Sequence, residues 1–252
     1  RIYDYPHIAL LYFNMYETSR LYPEITTRLS GKTYLYRAYR TALDMFQVPE
    51  ELDGWSALKT GLYNELVIPQ IIEALQREGY SFESDRLGGY WRRKAAWFVQ
   101  ECKDIFGSEY PFDTTGFEST HILAKEALRQ ASFEREDNIF GKEISYEKAA
   151  IFMENQISCN VACRGLLEPA YFWYGSDYRG NNMHYTLSYM SQMGGWALLD
   201  YACYYAKEPF EILRLAYGSI LSSWALLNSG DEKSGYGWWF PGKENDGCAC
   251  GG

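Results

Sequence analysis

Apolar positions recur every three to four residues along most of the chain, the spacing of helices that bury one face. The first predicted helix opens around Pro6, tolerated in a first turn, and runs to about Leu21 before Pro23 stops it. A second spans about Thr33 to Gln47 and ends near Pro49, and a third spans Ile68 to Arg77 with Gly79 as its stop. The fourth follows Asp85 and continues to about Lys103; the fifth ends near Gln130, with Thr115 and Glu118 spaced as its capping box. Ser145 is the expected N-cap of a sixth helix, about Tyr146 to Arg164. A seventh, Tyr185 to Ala206, is apolar almost all round, with Gly194-Gly195 in its middle as a place for a neighbour to approach closely. The eighth follows Pro209 and ends near Asn228.

The connections between these helices alternate in character. Glu24 to Lys32, Tyr80 to Asp85, Ser132 to Ile144 and Lys207 to Pro209 are plain and polar. Val48 to Val67, Phe106 to His121, Gly165 to His184 and the stretch after the eighth helix are long and rich in aromatic, acidic, glycine and histidine residues. In a stack of antiparallel helices alternate connections lie at opposite ends, so the chemistry gathers on one rim. His7, His121 and His184 each stand at the start of an odd-numbered helix and obey the same rule. Paired inner and outer helices closing into an (α/α) toroid is the expected architecture, a single all-α domain over residues 1–252. Eight helices fall short of the twelve of six hairpins, so the expectation is a fragment of a larger chain or an open ring.

Composition sharpens the chemistry. Aromatic residues make up 17%, including 23 Tyr and 8 Trp, whose flat apolar faces and polar handles suit either a core or a sugar ring. The net charge of -9 is spread out and the basic residues form no run, which argues against nucleic acid or an anionic membrane as partner. No charge-free apolar run reaches membrane-spanning length. The six cysteines lack the paired C-x-x-C spacing of a zinc site. Glu118 and His121 have the i, i+3 spacing of di-iron bundles, but Glu-x-x-His occurs once, so no metal or other cofactor is expected.

Glycoside hydrolysis needs two carboxyl groups, one protonated and one ionised, flanking the scissile bond. Glu118 is explained by capping, and Asp177 has Arg179 beside it. Glu109 and Asp113 have no local structural explanation and rank first as the catalytic pair, followed by Glu168 and Asp177. Glu65, Tyr110, His121, Trp173, Tyr178, Arg179, His184, Trp238, Trp239, Glu244 and Asp246 are the expected contacts to an oligo- or polysaccharide. Two alternatives share the rim: a non-catalytic glycan-binding module, and a polysaccharide lyase drawing on His7, Arg179, Asn182 and His184.

At residues 107–121, 167–180, 185–200 and 238–247 the chain resembles an uncharacterised family of large secreted bacterial and fungal proteins regarded as six-hairpin glycosidase-like. Gly-Ser-Glu-Tyr-Pro-Phe-Asp (107–113) and Pro-Gly-Lys-Glu-Asn-Asp-Gly (241–247) are the most specific strings. The resemblance implies an (α/α) toroid preceded by a β-rich domain, a carbohydrate substrate and an extracellular setting. It supplies no catalytic pair, and Cys248 and Cys250 depart from the small residues expected in that tail.

Overall fold

The computed structural model describes residues 2–25, 27–54, 56–102, 115–132, 144–171, 194–227, 229–231 and 235–237. Among them the fold is all-α, with nine helices and one short antiparallel strand pair. The helices are α1 (Asp4–Leu21), α2 (Gly31–Gln47), α3 (Glu50–Asp53), α4 (Val67–Arg77), α5 (Ser81–Gln100), α6 (Thr115–Ser132), α7 (Tyr146–Tyr171), α8 (Gly195–Tyr204) and α9 (Phe210–Leu227). Strands β1 (Ser229–Asp231) and β2 (Gly235–Gly237) pair with Gly230 opposite Tyr236. The chain divides into two compact units, Arg1–Pro111 with Ser119–Glu154, and Phe112–Glu118 with Asn155–Gly252.

In the first unit α1 and α2 form one hairpin and α4 and α5 another, and α2 packs on both members of the second pair. The amphipathic face of α2 buries Leu35, Ala38, Leu43 and Met45 against a core that includes Ile68, Ile71 and Leu75 of α4 and Leu87, Trp91 and Phe98 of α5. Each fully buried residue of this kind contributes about 1.5–3 kcal/mol. Ser30 caps α2 by accepting from the Thr33 N–H at 3.2 Å. Gly79, at φ 84°, closes α4: the Tyr80 N–H returns to the Leu75 carbonyl at 2.8 Å, a Schellman turn that lets α5 begin at Ser81, ahead of the position expected from sequence. Ala127 of α6 and Ile144 and Ala149 at the start of α7 form a further apolar cluster, joined by Ala96 and Val99 of α5.

In the second unit α8 and α9 form an antiparallel hairpin. The sequence pattern places Gly194-Gly195 inside a helix, whereas Gly194 adopts the left-handed conformation, φ 75°, and α8 starts after it. The close approach expected there is present: a Cβ built on Gly195 would lie 2.6 Å from Cβ and Oγ of Ser219 on α9. Buried Asn160 of α7 donates to the Gly194 carbonyl at 3.1 Å. The other departure is the end of α7, which continues through Gly165 and Pro169 to Tyr171 instead of stopping near Arg164. The helix runs through Gly165, so the glycine alone does not end it.

Candidate functional site

Hydrogen bonds fix which ends of the helices meet in the first unit. His7, near the start of α1, touches Asn64, just ahead of α4, whereas Tyr16 and Glu17 further along α1 reach Arg77 and Glu78 at the end of α4. The 60–65 connection also bonds Ser119 near the start of α6. The starts of α1, α4 and α6 therefore gather at one end, and the short α1–α2 and α4–α5 connections at the other.

At the rich end, exposed His7 and half-buried Asn64 lie with Nδ1 and Nδ2 2.7 Å apart, and the Tyr63 ring stands 6.1 Å from the imidazole, tilted by 32°. With the amide N–H donating, His7 Nδ1 is the acceptor and the ring proton sits on Nε2. Asn64 has φ 60°, the one positive value outside glycine among the described residues. Asparagine tolerates this region better than most side chains, and such a conformation persists only where its surroundings enforce it.

The enforcement lies directly below. Lys94 of α5 is fully buried, and its Nζ bonds the Thr60 carbonyl at 2.6 Å and the Glu65 carboxylate. Glu65, 1% exposed, also accepts from the Ser119 hydroxyl and, at 3.0 Å, from the Leu62 N–H. Burial pushes the Lys94 ammonium below its ordinary pKa, and the Glu65 charge and hydrogen bond pull the other way. Every polar atom of the pair faces a partner from a different segment, so residues 60–65 are pinned from α5, from α6 and by their own backbone. The Val67 and Ile68 N–H groups then bond the Asn64 and Glu65 carbonyls, carrying the turn straight into α4.

Two of the residues expected to contact sugar sit inside the protein. Glu65 and His121, expected as sugar contacts, are 1% and 0% exposed and lie below the surface. Lys94 and Ser119 were not legible as partners of Glu65. The available signal was Lys94's place on the spacing Leu87, Trp91, Lys94, Phe98, which is a buried stripe with a cation in it. Glu168 falls within α7, its side chain outside the described residues. Glu109, Tyr110, Asp113, Trp173, Asp177, Tyr178, Arg179, His184, Trp238, Trp239, Glu244 and Asp246 also lie outside the described residues. Cys102, Cys159 and Cys203 carry thiols rather than disulfides. Among the described residues no group of three or more His, Cys, Asp or Glu is placed to hold a metal ion, and no helix is long and apolar enough to cross a membrane.

A separate groove of about 420 Å³ runs between α4, α5 and α6, edged by Glu73, Asp85, Arg92, Glu126 and Arg129. Arg129 and Gln130 both bond the Glu126 carboxylate, so that wall is tied within α6.

No curated protein and no solved structure matches the chain. A family model does, over residues 1–128, a span that holds His7, Tyr63, Asn64, Glu65, Lys94 and Ser119. That match covers half of the 252 residues, and the chain belongs to the family it describes, the family of unknown function DUF5695.

Proposed function

We propose that this chain is the helical part of a secreted, carbohydrate-active enzyme, a glycoside hydrolase with the six-hairpin (α/α) toroid architecture. Its cleft lies at the end where α1, α4 and α6 begin. Glu109 and Asp113, on the connection that leads into α6, are the catalytic pair, with Glu168 and Asp177 next in rank. The observation that carries the reading is the gathering at that end of an exposed imidazole, an amide and a phenol on a turn pinned by buried charge. Flat, polar-edged side chains on a rigid support are what a rim needs to hold a sugar against two carboxyl groups.

The test is a glycan array followed by product analysis on the intact chain, with Glu109→Gln and Asp113→Asn made separately. Each change is expected to lower turnover by about 10²–10⁴-fold while leaving glycan binding in place. Turnover that survives both changes removes the catalytic assignment. Binding without product makes the chain a glycan-binding module, and an unsaturated uronate product makes it a lyase.

A further inference from the structure

We propose that His7, Tyr63 and Asn64 form a subsite for one neutral glycosyl ring, in which His7 Nε2–H and the Asn64 carbonyl oxygen read a pair of adjacent hydroxyls. The carbohydrate reading supplies the ligand class, and the geometry supplies the residues. The Asn64 amide N–H is directed at His7 Nδ1, 2.7 Å away, which leaves Oδ1 as an acceptor and Nε2–H as a donor on neighbouring planar groups. A vicinal diol matches that face: one hydroxyl oxygen accepts from Nε2 and the other hydroxyl donates to Oδ1. An isolated charged group would find no opposite charge in this trio. The half-buried Tyr63 ring flanks the imidazole at 6.1 Å and offers an apolar flank to the sugar's C–H face.

The backbone is the independent observation. Asn64 holds its left-handed conformation although glycine would adopt it without strain, so the side chain is retained at a conformational cost. That cost is sustained by the Glu65, Lys94 and Ser119 bonds immediately below, which fix the turn before any ligand arrives. Glu65 and Lys94 are positioning residues here, since neither reaches the surface.

The experiment observes the imidazole nitrogens of the intact chain by NMR, where only three histidines contribute. The probes are cellohexaose, mannohexaose, xylohexaose and maltohexaose, added one at a time. In the free protein the His7 proton is expected on Nε2, and at least one probe shifts the His7 signals. Asn64→Gly keeps the backbone conformation and removes the amide, and His7→Ala changes an exposed side chain. Each is expected to weaken that probe's binding about tenfold, with thermal stability of the glycine variant kept or raised. A proton on Nδ1, His7 signals unmoved by every probe, or unchanged affinity in both variants overturns the subsite. Binding through His7 without any product leaves the subsite standing and removes hydrolysis, whereas product formation with unmoved His7 signals does the reverse.

Discussion

The two ends of the α1–α2–α4 bundle both carry charged clusters, and they use charge in opposite ways. At the α1 and α4 starts, Lys94 and Glu65 are wholly buried, and beyond their bond to each other their side chains bond only the 60–65 connection and α6. At the other end Tyr16, Glu17, Lys32, Arg77 and Glu78 form a network at the water's edge, with contacts of 2.9–3.3 Å. A buried pair gains little net stability over an apolar pair but leaves a large penalty when one partner is lost, so it fixes one arrangement of a loop. A solvated network is replaceable piece by piece. Only the first kind is suited to holding a turn in a strained shape, and Asn64 stands on that turn.

The largest expected effect comes from breaking the buried pair on one side. Lys94→Met strands the Glu65 carboxylate and should cost about 3–5 kcal/mol in urea unfolding, and the Glu65→Leu/Lys94→Met double variant should recover much of that loss. A single variant within about 1 kcal/mol of wild type would erase the contrast between the ends. Next is Asn64→Ala, which removes the amide and disfavours the left-handed backbone by about 1–2 kcal/mol; a glycine variant also lacks the amide but adopts that backbone freely, so thermal melts of the two side by side isolate the strain. At the solvated end, Arg77→Ala removes contacts to Tyr16 and Glu17 yet should lower stability by less than about 1 kcal/mol, and by less still in high salt.

The smallest effect is a pH dependence. The Tyr16 hydroxyl, followed by Lys32 and Arg77, holds the Glu78 carboxyl below its ordinary value of 4.5, against the opposing pull of partial burial. A carboxyl with a depressed folded pKa adds stability above its unfolded value and loses it as pH falls through the folded one. Glu78→Gln should therefore lower stability at neutral pH by about 0.5 kcal/mol or less and leave it unchanged below the folded pKa, so that the acid limb flattens. A slope unaltered by the substitution would remove Glu78 from the network.

Much of the helical order was readable because prolines and glycines punctuate it. Pro23, Pro49, Pro69 and Gly79 bound α1, α2 and α4 within a few residues of where the structure puts them. The same rule fails at Gly165 and Pro169, where the helix continues to Tyr171. The site was legible only by address. Sequence pattern put His7 and the 48–67 connection at one end, but Glu65 looked like a surface carboxylate. Burial of a cation such as Lys94 depends on its partner's arrival from another segment, which local spacing does not encode. The conformation of Asn64 is likewise set by that distant pair and not by its neighbours.

The contact between Gly195 and Ser219 has a mechanical consequence. At Gly195 the α8 backbone lies directly against the small Ser219 side chain of α9, with no room for even one added carbon. Axial sliding of α8 along α9 would drive the neighbouring side chains into that gap. The contact thus opposes shear of α8 along α9 at this crossing.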